Sequence, residues 1–143
     1  MNELRTYFSL IRTDLCLMPD FKKYQYLPAP PEDVYNALTN PLALQLWTGE
    51  RAEMSTEPDS EFSLWDESIV GKNLKFETNK LLIQQWYFEG ETDESLVTLK
   101  LHPEGEGTSL EVRHINIPKS DFEDIKAGWL DLYLPSLLDF FQE

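Results

Sequence analysis

The chain has 143 residues, a length that fits one domain able to bury a core, or a core with a cavity in it. Hydrophobic residues make up 41%, with four Trp, six Tyr and eight Phe, which excludes a disordered chain. Twelve Lys and Arg against 26 Asp and Glu leave a net charge of −14, which argues against nucleic acid and against anionic membranes as partners.

Cys16 is the one cysteine, so an internal disulfide is excluded and a reducing, cytoplasmic location is expected. Its neighbours Leu15, Leu17 and Met18 are apolar and favour a packed thiol over a nucleophile. No apolar run reaches membrane-spanning length, and Glu3, Arg5, Arg12 and Asp14 break up the first segment, so no signal peptide is expected. Residues 1–19 read as an N-terminal extension to a domain over 20–143. Leu4, Tyr7, Phe8, Ile11 and Leu15 recur there at helical spacing, and a strand on the sheet edge fits nearly as well.

Phe21, Tyr24 and Tyr26 in FKKYQYL mark a first strand over 21–27. A helix follows at PPEDVYNALT: Pro31 suits a first helical position, Glu32 and Asp33 favour the helix dipole, and Val34 and Leu38 share a face. Asn40-Pro41 stops that helix and caps a second, short one ending near Trp47-Thr48-Gly49. Six strand candidates come next, at 50–55, 61–65, 70–77, 81–88, 95–102 and 108–117, separated by turns such as HPEGEGT. In SLVTLKLH, Val97, Leu99 and Leu101 alternate with polar residues, the pattern of a half-buried antiparallel strand.

A long helix is expected over about 120–142, with Ser120 and Glu123 as a capping box. Phe122, Ile125, Trp129, Leu132, Tyr133, Leu137 and Phe140 make its apolar stripe, and Pro135 should bend it. Gly128 in mid-helix costs about 1 kcal/mol relative to Ala. Two explanations fit: the helix crosses the sheet so closely that a side chain is excluded, or Gly128 marks a kink beside Pro135. The fold class implied is α+β, a curved antiparallel sheet with two short helices after its first strand, its apolar face covered by the long C-terminal helix.

PAPPEDVYNALTNPLALQLWT, LLIQQWYF, SLVTLKLHPEGEGTSLEVRH and AGWLDLYLPSLLDFF, in this order, resemble the SRPBCC (START-like, Bet v 1-like) helix-grip superfamily over residues 20–143. Gly71, Trp86, the Gly105-Gly107-Thr108 turn, Ile117-Pro118 and the Gly128-Trp129 pair are most similar to the C-terminal domain of the activators of heat-shock protein 90 ATPase. Asp59-Ser60 stand where that family has paired glycines. The separate N-terminal domain through which the eukaryotic activators make their main chaperone contact is not expected in 143 residues.

The resemblance implies a cavity between sheet and last helix, lined by Phe62 or Leu64, Leu82, Gln84, Trp86, Val97, Leu99, Leu110, Val112, His114, Trp129 and Tyr133. It implies non-catalytic binding of a small hydrophobic or aromatic ligand; side chains this large would also serve as a filled core. His114 fits either a ligand hydrogen bond or acid/base work, or a partner hydroxyl or carbonyl within the core. The alternatives are a chaperone-associated interaction module and a cyclase-like enzyme, for which Tyr133 is the one phenol at hand. No catalytic constellation, no cofactor fingerprint and no metal-ligand spacing is present in the sequence, and either a monomer or a homodimer is consistent with it.

Overall fold

A computed structural model describes residues 19–90 and 94–142. The expected helix or strand before Pro19, and Cys16 with it, lies outside the described residues. Six strands form one sheet: β1 (Phe21–Leu27), β2 (Glu61–Leu64), β3 (Ile69–Glu77), β4 (Leu81–Trp86), β5 (Ser95–Glu104) and β6 (Gly107–Ile115). Their spatial order is β1-β6-β5-β4-β3-β2 with every pairing antiparallel, so β2 to β6 run as a meander and β1 joins its far side.

The detour from β1 to β2 holds two helices, α1 (Pro31–Thr39) and α2 (Pro41–Thr48). Asn40 ends the first and caps the second as expected, its Oδ1 accepting from the Leu42 and Ala43 amides. Trp47 fastens α2 to α1 by donating its indole N–H to the Ala37 carbonyl (2.8 Å), and the buried Thr108 hydroxyl ties β6 to the α1 entry through the Ala29 carbonyl (2.7 Å).

The expected strand at 50–55 is not one. Only a single bridge, Glu53 to Ser63, forms there, because the segment meets β2 at one point before turning away. Asp59 adopts φ 68°, a left-handed conformation that Asp tolerates better than most side chains. A bulge between Asn73 and Lys75 in β3 curves the sheet while keeping Asn73 buried opposite Gln84. Gly71 is needed in the middle of β3: a Cβ there would fall on the Gln85 carbonyl oxygen and on the Phe62 ring.

The C-terminal helix departs from expectation in three ways. No Ser120 capping box forms; a 3-10 turn (Lys119–Asp121) leads into α3 (Phe122–Gly128). A π-helical turn (Trp129–Tyr133) follows and passes into α4 (Leu134–Phe141). Pro135 has no amide hydrogen to give to the preceding turn, and the widened turn, with the Leu134 amide reaching the Trp129 carbonyl, takes up that defect. The extra residue rotates the buried face. Trp129, Tyr133, Leu134 and Leu137 point inward, while Leu132 and Phe140 of the expected stripe are exposed.

Candidate functional site

Every one of the twelve residues expected inside is buried, and none exceeds 5% exposure. Nine of them (Phe62, Leu64, Leu82, Gln84, Val97, Leu99, Leu110, Val112 and His114) are buried away from the cavity lining. Trp86, Trp129 and Tyr133 line a cavity of about 250 Å³ at one end of the sheet–helix interface. The β2–β3 hairpin adds Trp65, Ser68 and Ile69 to its wall, and the C-terminal helix adds Asp124, Ile125, Gly128 and Leu132.

Aromatic rings dominate this end of the molecule. Trp86 stacks on Trp129 (centroids 5.2 Å apart, planes 18° apart), and Trp129 lies 4.4 Å from Tyr133. Tyr133 in turn meets Trp65 and Trp47 at 5.6 and 5.2 Å, so all four tryptophans belong to one cluster. Pairs at these separations add about 0.5–1.5 kcal/mol each beyond their buried area.

The polar atoms of the two central tryptophans are committed within the protein. Trp129 donates its indole N–H to His114 Nδ1 (3.1 Å), which leaves the His114 proton on Nε2, facing Ser95 Oγ at 2.9 Å. Ser95 passes its own proton to the Ile115 carbonyl (3.2 Å). This one-way chain requires a neutral imidazole, and burial pushes the His114 pKa down to about 3. His114 therefore works as a connector in the core and has no free nitrogen for a ligand. Trp86 donates to Gln84 Oε1 (3.1 Å), Gln84 donates to Asn73 Oδ1 (3.0 Å), and Asn73 donates to the Ser55 carbonyl and to Ser60 Oγ, each at 3.2 Å. That relay holds the 53–60 segment against the sheet.

Tyr133 differs. It is 4% exposed and lines the cavity, yet its hydroxyl has no hydrogen-bond partner among the described residues. Burial raises its pKa, so it is a neutral phenol.

Gly128 also takes an unexpected part. A Cβ built on it would meet nothing within 4 Å, so neither a close helix–sheet contact nor a steric need explains it. Its empty position opens directly onto the cavity.

Trp65 is the one aromatic cavity residue among those described that the sequence did not single out. It sits at a hairpin turn and is read there as a strand end. In the fold, Trp65, Asp66 and Glu67 all take left-handed backbone conformations (φ 51°, 53° and 73°), which swing the indole back over Tyr133. Each such residue costs roughly 1–2 kcal/mol. The Arg51 guanidinium reaches Asp66 (3.2 Å) and Glu67 (3.5 Å), and the Asp66 amide donates to the Arg51 carbonyl (2.9 Å). Asp66 and Glu67 are thus turn residues. His102 faces solvent and contacts Glu111 Oε1 at 2.8 Å.

No cluster of three or more potential metal ligands exists among the described residues, and no helix among them is long and apolar enough to cross a membrane.

Comparison with known proteins agrees with this architecture. A family model described as Activator of Hsp90 ATPase homolog 1-like protein matches residues 28–140. A curated relative from Dictyostelium discoideum, named an activator of 90 kDa heat shock protein ATPase homolog, is 28% identical over 102 residues, 69% of this chain and 27% of its own length. The chain thus spans about a quarter of the curated relatives it matches. Among solved structures, an HSP90 activator from Plasmodium falciparum superimposes with a TM-score of 0.69 at 29% identity, covering 77% of this chain and 86% of that one. CalU16 from Micromonospora echinospora superimposes with a TM-score of 0.75 at 27% identity, covering 86% and 74%.

Proposed function

The chain belongs to the Activator of Hsp90 ATPase homolog 1-like family, and on that premise we propose that it binds a small, uncharged aromatic molecule at the end of its sheet–helix interface. One observation carries the reading: the cavity of about 250 Å³ beside Trp65, Trp86, Trp129 and Tyr133 is open where Gly128 lacks a side chain. A volume just below the roughly 300 Å³ at which drug-sized pockets begin suits one or two fused rings. The walls offer ring faces and edges for stacking. Tyr133 supplies one buried donor for a ligand acceptor, since both central indole N–H groups are already in use. Among the described residues no lysine or arginine lines the cavity, and Asp124 stands in its wall, so an anionic ligand is disfavoured.

Tryptophan-fluorescence titration with neutral mono- and bicyclic aromatics, after native mass spectrometry of the freshly purified protein, tests this. Gly128→Leu should fill the space and abolish binding while the fold stays intact, and Tyr133→Phe should weaken it by about 5–10-fold, the worth of one hydrogen bond. Unchanged affinity in Gly128→Leu removes the proposal. The reading includes two further assignments. Residues 1–19 are an extension that the domain over 20–143 does not need, so deleting residues 1–17 leaves it folded. The location is cytoplasmic, in keeping with the single cysteine. It also treats the protein as non-catalytic, because His114, the candidate base, is held neutral and doubly engaged.

A second reading rests on the names of the relatives above: association with a chaperone of the 90 kDa class. A pull-down with the cognate chaperone at low salt tests it, and absence of the complex there removes it.

A further inference from the structure

The face of the sheet turned away from the helix carries a charge opposite to that of the molecule. Strand register places Lys22, Arg113, Thr98, Ile83 and Lys75 in one row across five strands. The adjoining rows on the same face bring Lys100 beside Leu81 and Glu111, and Lys72 between Gln85 and Glu61. This face therefore holds five cations (Lys22, Lys72, Lys75, Lys100 and Arg113) and four carboxylates (Glu61, Glu77, Glu104 and Glu111).

The described residues contain ten Lys and Arg and twenty-one Asp and Glu, so an even scatter would put about twice as many acids as bases on any face. Here the ratio is inverted. Half of the described cations and about one fifth of the described carboxylates lie on one surface of a chain whose net charge is −14. Two of those carboxylates already pair within the face, Glu111 with Lys22 (3.7 Å) and Glu77 with Lys75 (3.2 Å). Among the described residues, Lys72, Lys100 and Arg113 have no carboxylate within 4.0 Å.

Between the cations lie half-buried Leu81, Ile83, Leu96 and Ile115, and Tyr24 and Tyr26 stand exposed at the β1 side (52% and 46%). Apolar and aromatic groups set among cations have the composition of a protein-recognition surface. With strands about 4.8 Å apart, the row from Lys22 to Lys75 spans about 19 Å, enough for a short helix or a strand of a partner.

We propose that this outer sheet face is a docking surface for an acidic polypeptide, one that presents Asp and Glu interspersed with apolar residues. Charge complementarity selects the partner class. A nucleic-acid strand carries phosphates beyond a 19 Å strip and meets the strongly negative remainder of the molecule, whereas the charge of an acidic peptide patch is confined to the strip. The surface lies on the opposite side of the sheet from the cavity, so the two are tested independently.

The probe is a fluorescein-labelled 12-residue peptide of alternating Glu and Leu, followed by anisotropy at 50 and 200 mM salt. The expected result is binding that weakens as salt rises and that falls at least tenfold in Lys75→Glu/Arg113→Glu. Those two positions face Ile83, Thr98 and Lys22 across the strands, so reversal there brings no two carboxylates opposite each other, although Lys75→Glu exchanges the ion pair with Glu77 on its own strand for a like-charge neighbour. If that variant is unstable, Lys75→Gln/Lys100→Gln/Arg113→Gln should lose the same binding with an unchanged Tm. Equal binding by the variants overturns the proposal, as does no binding of the acidic peptide at 50 mM salt. Tighter binding of a 12-nucleotide single strand would overturn it in favour of nucleic acid. A concentration-dependent dimer in sedimentation, dissolved by the charge reversal, would overturn it in favour of a second copy of this chain.

Discussion

Replacing His114 with Gln should flatten the dependence of stability on pH below about 6.5. The fold holds His114 neutral, with its pKa at about 3 against 6.5 for a free imidazole. Below pH 6.5 the unfolded chain takes up a proton that the folded chain refuses, so stability present above 6.5 is lost as pH falls towards 3. At pH 5 this linkage amounts to about 2 kcal/mol, from 1.5 units at about 1.36 kcal/mol each. Gln at this position keeps an acceptor for the Trp129 indole and a donor for Ser95, but does not titrate. Glu111, whose carboxyl is held below the usual range chiefly by its hydrogen bond to His102, is present in both chains and cancels in the comparison. Urea unfolding monitored by tryptophan fluorescence at pH 7.5, 6.5, 5.5 and 5.0 gives the two curves. The wild type should lose about 2 kcal/mol more than His114→Gln between pH 7.5 and 5.0. Parallel curves would refute a buried neutral imidazole and the donor chain built on it.

Gly71→Ala should destabilise the fold by about 2 kcal/mol or more, since the new methyl meets the Gln85 carbonyl oxygen and the Phe62 ring; a chemical-denaturation midpoint within error of wild type would contradict the close approach. Gly128→Ala should do the reverse. Its φ of −59° is helical and its surroundings are open, so about 0.5–1 kcal/mol of added stability is expected in the same assay, together with weaker ligand binding. Asn40→Ala removes the side chain that accepts from the Leu42 and Ala43 amides and should cost about 1 kcal/mol, read as a lowered Tm.

Much of the architecture was legible in the residues themselves. Asn40-Pro41 fixed the junction of two helices because it acts within four residues, through a cap and a missing amide. The alternation of Val97, Leu99 and Leu101 fixed which face of β5 is buried, because a strand's side chains alternate by geometry alone. The interior character of the ten expected residues that lie on strands followed from the same alternation, carried from strand to strand by register, and that of Trp129 and Tyr133 from the helical stripe. Tertiary structure alone decided three other matters. The π turn at Trp129–Tyr133 arises because Pro135 lacks a hydrogen, but the turn's rotation of Leu132 outward and Leu134 inward depends on which residues the sheet accepts. Trp65 reaches the cavity because three successive residues are held left-handed, a conformation that local preference disfavours and that the Arg51 contacts accompany. Gly128 illustrates the limit most plainly. Its cost to the helix is written in the sequence, but whether the missing side chain makes room for a neighbour or leaves a space depends on atoms from the β2–β3 hairpin and the end of β4. Only folding brings those atoms together, and in this protein they stop short of it.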